Sequence, residues 1–469
     1  MSSSLTPAAR SRGMALAALV VALCWTVVLF DGLDLFVYGA VLPGMLDDPD
    51  LGLSPGRAGD LGSYATFGML LGALSAGTVT DWIGRKKVII GCTTVFSLAS
   101  AVCAMAPTLG VFGVARFVAG LGLGGLLPTT ITLVAEYAPR GRGNLMIGLL
   151  MTAHQAGGIL AALLGLWLVE PFGWRSAFWV GLAPLVIAVP LVAMFLPESL
   201  GFLIACGRTD EACRLADRYR VELPTTEPAP TTAPAPATEP APTTAPAPAT
   251  APAPATPHDR RHALTALFRD GQWRRTVLFW CASFGGLLLV YGVSTWLPTM
   301  MRGQGYELGS ALSFLIVINL GGIVGMLVAG RIADRFGAAR VAAVWFGCTA
   351  IGIYLLGIHM PPALTYLVVF LTGLWLFSAQ TMVYATVAGR STAENRATAV
   401  GWTSGMGRFG AVFGPWLGGR LVADEAQDWG FTVFAATALF ATVMIGLTGL
   451  RTARRTPRSG TARPVSTTG

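Results

Sequence analysis

The chain reads as an all-α integral membrane protein, with about twelve transmembrane helices in two pseudo-symmetric six-helix bundles. Three observations predict this class. Of 469 residues, 54% are hydrophobic and only 12% charged, against roughly 25% charged in an ordinary soluble domain. The apolar residues fall in runs of about 20, the length a helix needs to cross hydrocarbon, and lack the strict alternation of a membrane barrel. A short pattern near residue 80 returns near residue 333, as expected where one half duplicates the other.

The first bundle is placed at 16–196, with spans near 16–44, 59–79, 87–106, 109–137, 144–169 and 174–196. The second is placed at 275–450, with spans near 275–300, 309–333, 338–359, 363–388, 396–422 and 430–450. Residues 1–15 and 451–469 are tails, and 197–274 is a hydrophilic linker. Basic residues collect in alternate loops: Arg10 and Arg12, then Arg85, Lys86 and Lys87, then Arg140 and Arg142, then the linker and the tail. The other loops are acidic, with Asp47, Asp48 and Asp50 after span one and Asp424, Glu425 and Asp428 after span eleven. Positive residues stay inside, so both termini and the linker are expected in the cytoplasm and the chain in the inner or plasma membrane. This asymmetry accounts for the net charge of +8 without a nucleic-acid partner.

Within the linker, Glu-Pro-Ala-Pro and Ala-Pro repeats fill about 221–257. Such a sequence favours extended polyproline II and builds no core, so a solvated insert is expected. Residues 209–220 before it suggest a short amphipathic helix. The first apolar stretch is too long for a signal peptide and lacks a small-residue cleavage site. The seven cysteines have no metal-ligand spacing, so free thiols and no metal are expected.

Two acids interrupt span one. Asp31 and Asp34 are three residues apart, which puts both on one helix face. Each costs roughly 2.5–3.5 kcal/mol in the middle of a membrane helix, so they must face a polar cavity. Either they carry protons or they form a structural ion pair with Arg116, which lies at comparable depth in span four. Arg408 sits about twelve residues into span eleven, where a guanidinium matches a substrate carboxylate bidentately or takes helix carbonyls. His154 and Gln155 lie mid-span five, to bind substrate, to relay protons or to tie helices together. Tyr38, Tyr291 and Tyr384 either stack on a ligand ring or simply pack. Asn319 and Gln380 are polar positions of the same kind. Glu136, at the end of span four, either pairs with Arg140 or Arg142 or serves a gate.

The repeated pattern is Gly77-Thr-Val-Thr-Asp81-Trp-Ile-Gly84-Arg85-Lys86-Lys87, echoed by Gly330-Arg-Ile-Ala-Asp334-Arg335-Phe-Gly337-Ala-Ala-Arg340. At these residues the chain resembles the major facilitator superfamily. The likeness continues through Arg116-Phe-Val-Ala-Gly120, Pro128 and Glu136. Pro197-Glu198-Ser199 resembles the motif of sugar and organic-anion porters, with Leu200-Gly201 where Pro-Arg is usual. Asp31-Gly-Leu-Asp34, Arg396-Ala-Thr-Ala-Val-Gly401-Trp402 and Gly407-Arg408-Phe-Gly410 resemble the aromatic acid:proton symporter family. Ser391-Thr-Ala-Glu394-Asn395 departs from its usual Pro-Thr-Glu type sequence.

The resemblance implies import of benzoate-like or hydroxybenzoate-like acids by proton symport through alternating access. It implies no cofactor beyond the proton gradient, and a functional monomer in the lipid bilayer. Asp31, Asp34 and Arg116 would couple protons. Arg408, His154, Gln155, Tyr38, Tyr291 and Tyr384 would meet substrate. Asp81, Gly84, Arg85, Glu136, Asp334, Arg335 and Arg396 would gate. A proton-coupled efflux antiporter, or a porter for another organic anion or a sugar, is the alternative. No serine nucleophile elbow, P-loop or metal cluster points to an enzyme.

Overall fold

The computed structural model describes residues 7–139, 143–219, 273–391, 396–423 and 427–450. The Ala-Pro insert, Arg140, Arg142 and the C-terminal tail lie outside them, as do the side chains of Arg10, Arg12 and Arg396. The described residues form α1 (Pro7–Leu46), α2 (Pro55–Ile83), α3 (Arg85–Met105), α4 (Leu109–Tyr137) and α5 (Gly143–Phe172). Short helices follow: α6 (Arg175–Val180), α7 (Ala183–Val186), α8 (Ala188–Phe195), α9 (Leu200–Ala205) and α10 (Thr209–Tyr219). The second half holds α11 (Trp273–Gly303), α12 (Leu308–Phe336), α13 (Ala338–Leu356), α14 (Pro362–Arg390), α15 (Arg396–Ala423) and α16 (Gln427–Leu450).

Local chemistry sets the helix ends. Ser54 accepts from the Arg57 N–H at the start of α2 and Pro55 follows it, while Thr108 accepts from the Val111 N–H at the start of α4. Both satisfy amides that no helix turn can reach. Span six departs from expectation: 174–196 is three short helices, not one. Pro184 and Pro190 lack the amide hydrogens that a continuous helix would bond back to Val180 and Val186.

Ten helical segments among the described residues are long and apolar enough to cross a membrane. The other two of the twelve expected spans, α2 and α15, are helices of 29 and 28 residues with more polar sequences. They escape lipid on one side because they pack on each other. The packing repeats with the sequence: α1 against α5 and α2 against α4 in the first half match α11 against α15 and α12 against α14 in the second. The main cross-half pairs, α2 with α15 and α5 with α12, exchange under the same six-helix offset.

The halves meet toward the end that carries the acidic loop after α1. There Arg302 binds Asp47 at 2.6 Å and Arg420 lies 3.5 Å from Asp60. The Ser63 hydroxyl donates to the Val412 carbonyl at 2.8 Å. That carbonyl lies in the turn of α15 loosened by Pro415. At the basic-loop end, Arg85, Lys86 and Arg390 make their contacts within their own halves.

Candidate functional site

The charges predicted on α1 find partners inside the first bundle. Arg116 Nη1 donates to Asp34 Oδ2 at 2.9 Å, and Nη1 and Nη2 each lie 3.4 Å from the Asp34 carbonyl. Both side chains are almost wholly buried. The guanidinium lies 5.6 Å from the Tyr38 ring centre and 5.9 Å from that of Phe178, a favourable cation–π arrangement. Tyr38 is thereby committed: its hydroxyl donates to the Ala58 carbonyl at 2.6 Å and its ring faces Arg116. Its polar tip and one ring face are thus engaged within the first bundle.

One turn back, Asp31 meets α5. Its Oδ2 lies 3.2 Å from His154 Nδ1, and its Oδ1 is buried without a hydrogen-bond partner. The two helices come this close because residue 32 is glycine. A Cβ there would run into the His154 backbone carbonyl. The Phe36 ring meets the imidazole edge-on, with centroids 5.6 Å apart.

The second bundle supplies an opposite charge. Arg408 is 9% exposed, and its Nη1 has no hydrogen-bond partner among the described residues. Tyr291 on α11 is buried within electrostatic reach of Arg408, Asp31 and Tyr384, so these groups from both halves share one interior region. Around it lie amides with spare oxygens. Gln380 Nε2 donates to Ser283 Oγ at 3.1 Å while its Oε1 is unpaired. Gln155 of α5 packs toward Gly322 of α12, and Asn319 of α12 toward Gly158 of α5. Their amide oxygens are buried and unpaired as well. Buried polar groups normally find partners, so such a cluster of spare donors and acceptors is what a polar ligand would satisfy.

The basic-loop end carries a separate network. Gly84 links α2 to α3 at φ +96°, a region that disfavours side chains. Glu198 reaches this link, with Oε1 accepting from the Lys86 N–H at 3.1 Å and from its neighbour Ser199 N–H at 2.9 Å. It thus caps the start of α3, where a carboxylate is favoured. Arg85 lies 3.7 Å from Asp81 and 3.6 Å from Glu136, and the Ser199 hydroxyl donates to Glu136.

A family model of the Major Facilitator Superfamily matches residues 24–332 and 313–468. The chain belongs to this superfamily. As a facilitator it is a multi-pass membrane transporter and not an enzyme. It is 33% identical to a benzoate transport protein of Acinetobacter baylyi, over 91% of this chain and 88% of that protein. It is 32% identical to a gentisate transporter of Corynebacterium glutamicum, over 93% and 88% of the two chains. With a gallate transporter of Pseudomonas putida it shares 34% identity over 94% and 93%. A xylose transporter of Escherichia coli shares the fold, with a TM-score of 0.67 at 15% identity, over 94% of this chain and 98% of that one.

Not every expected residue joins the facilitator's central cluster. Asp334 and Arg335, the echo of Asp81 and its neighbours, are exposed, and neither has an ion-pair partner among the described residues. The partners expected for Glu136, Arg140 and Arg142, lie outside the described residues. Its observed partners, Arg85 and Ser199, come from other segments. Sequence reasoning missed the capping role of Glu198. The signal was present in Pro197-Glu198-Ser199, but nothing in a linear motif says that a carboxylate will cap a helix 112 residues away.

Proposed function

We propose that this facilitator imports an aromatic carboxylate, of the benzoate or hydroxybenzoate kind, together with protons by alternating access. The observation that carries the reading is Arg408, a buried guanidinium with an unpartnered Nη1, within electrostatic reach of Tyr291 as Asp31 also is. A buried charge left unpaired costs several kcal/mol, and a carboxylate ligand relieves that cost with two parallel hydrogen bonds. Relatives named for benzoate, gentisate, gallate and 4-hydroxybenzoate all carry such a ligand. In this reading Arg408 holds the carboxylate, Tyr291 and Tyr384 flank the ring, and Gln155, Asn319 and Gln380 meet ring substituents.

Proton coupling rests on Asp31 and Asp34, which are buried in an apolar helix and need a functional reason to stay there. Alternating access fits the one-sided closure. Arg302–Asp47, Arg420–Asp60 and Ser63–Val412 shut the acidic-loop end, and the basic-loop end is the cytoplasmic mouth by its charge. Asp81, Gly84, Arg85 and Glu136 then stabilise the helix ends that must close at that mouth in the opposite state, with Asp334, Arg335 and Arg396 as their second-half counterparts.

The test is uptake of labelled 4-hydroxybenzoate into vesicles under an imposed pH gradient. Accumulation is expected with the gradient and not after its collapse. Accumulation that survives Asp31→Asn with unchanged proton dependence would remove Asp31 from coupling. Raised drug tolerance on expression, with no carboxylate uptake, would favour the antiporter reading.

A further inference from the structure

The carboxylate pair on α1 is sealed from water. Asp31 and Asp34 are 1% and 2% exposed, so a proton bound for either must arrive through a neighbour. Asp34 offers no such route, since its carboxylate meets Arg116 and the Ser100 hydroxyl, both buried and neither a proton donor at working pH. Asp31 does: its partner His154 keeps 19% of its side chain accessible. Histidine is the one side chain whose ordinary pKa lies between pH 5 and 8.

We propose that His154 is the proton relay that loads and unloads Asp31. This rests on the symport reading above. In the receiving state Nδ1–H donates to Asp31 Oδ2, and Nε2 holds a lone pair. A hydronium ion from the open side gives its proton to Nε2 and leaves as water. The Nδ1 proton crosses the 3.2 Å gap to Oδ2, leaving a neutral imidazole and a neutral carboxylic acid. Release on the other side runs the same transfers in reverse.

The geometry holds the relay still. Gly32 lets the α5 backbone press against α1 at His154 itself, and Phe36 contacts the ring edge. The neighbouring elements supply few other charges: Asp31 and Asp34 on α1, Arg116 on α4 and Arg408 on α15, with Tyr291 on α11. Asn319 and Gln155 at the α5–α12 contact are neutral.

The experiment compares wild-type protein with His154→Gln and His154→Lys in proteoliposomes. It measures gradient-driven accumulation of 4-hydroxybenzoate, the pH profile of uptake from 5 to 8, and counterflow, in which substrate exchanges without net proton movement. Both variants are expected to lose at least tenfold in accumulation, and His154→Gln to lose the inflection of the pH profile, while counterflow is still measurable. Wild-type accumulation and pH profile in His154→Gln would overturn the relay. Loss of counterflow in both variants would also overturn it, by marking His154 as structural. No gradient-driven uptake by the wild-type protein would overturn the symport reading itself, a result independent of any substitution at His154.

Discussion

Asp31 and Asp34 stand one helical turn apart on α1 and are equally buried, yet their surroundings differ in kind. Asp34 is tied to a guanidinium that is itself held between two aromatic rings. Asp31 touches a partly accessible imidazole instead, while each acid keeps its Oδ1 unpaired. The same contrast divides the arginines. Each leaves one nitrogen unpaired, but Arg116 makes three contacts with Asp34, whereas Arg408 has no ion-pair partner among the described residues. Identical residue types in one membrane interior thus divide into a fixed pair and an available pair. What separates them is whether the opposite charge is supplied by the same bundle or awaited from outside.

The sharpest way to break this comparison is to unpair the fixed set. Arg116→Ala leaves Asp34 buried without its counter-charge and is expected to cost about 3–5 kcal/mol of stability. The thermal unfolding of purified protein in detergent measures it. Adding Asp34→Asn to Arg116→Ala is expected to recover part of the loss, since no charge is then stranded. Asp31→Asn is expected to cost less than either single change at the Asp34–Arg116 pair. If Asp31→Asn unfolds the protein as readily as Arg116→Ala, the two acids are not different in kind.

The available set should fail in binding instead of folding. Arg408→Ala removes charge-assisted hydrogen bonds of about 1.5–3 kcal/mol. It is expected to raise the KM for an aromatic carboxylate by roughly 10- to 100-fold with little change in unfolding temperature. Arg408→Lys keeps the charge without the planar fork and is expected to fall between. An unchanged KM in Arg408→Ala would place the carboxylate elsewhere.

A smaller contrast separates the two copies of the loop motif. Gly84 and Gly337 both sit at positive φ, +96° and +87°, and alanine in such backbone costs roughly 1–3 kcal/mol. At Gly84 an added Cβ would also lie 2.5 Å from Glu198 Oε2, while at Gly337 it meets open space. Gly84→Ala is therefore expected to lower the unfolding temperature more than Gly337→Ala. Equal losses would mean that the Glu198 cap contributes nothing beyond the backbone.

The legible part of this molecule is the part dictated by single residues in an apolar setting. A charge within a membrane helix has few places to go, so Asp31, Asp34, Arg116 and Arg408 stood out as candidates, and run length alone located the spans. The break in span six was written in Pro184 and Pro190, but the continuous hydropathy of 175–195 masked it. What stayed hidden depends on chain segments meeting at a distance. Glu198 reaching the Lys86 amide, Ser199 reaching Glu136, and Tyr38 turning to Ala58 and Arg116 each need a fold to bring them together. Tyr38 shows the limit well: its type fits either a ligand ring or a packing role, and only the fold shows its contacts with Ala58 and Arg116.

Asp48, just beyond the end of α1, sets the solvent-facing limit of the comparison. The Trp174 indole donates to its Oδ2 at 2.9 Å and the Asp50 N–H to its Oδ1 at 3.1 Å. The indole bond first of all, then the backbone amides and the nearby Arg175, hold this carboxyl below its ordinary value of 3.8. A carboxyl whose folded value is depressed stabilises the fold above its unfolded pKa, and that stabilisation is lost as pH falls through the folded value. The window therefore lies below about pH 4. Because the group is close to water, the effect should stay under about 0.5 kcal/mol. Comparing wild type with Asp48→Asn, the wild-type advantage in unfolding temperature is expected at pH 6 and should vanish on acidification below that window. An advantage that persists unchanged into acid would come from shape and not charge. An advantage as large as that of the Asp34–Arg116 pair would mean that burial is not what separates strong carboxylate pairs from weak ones here.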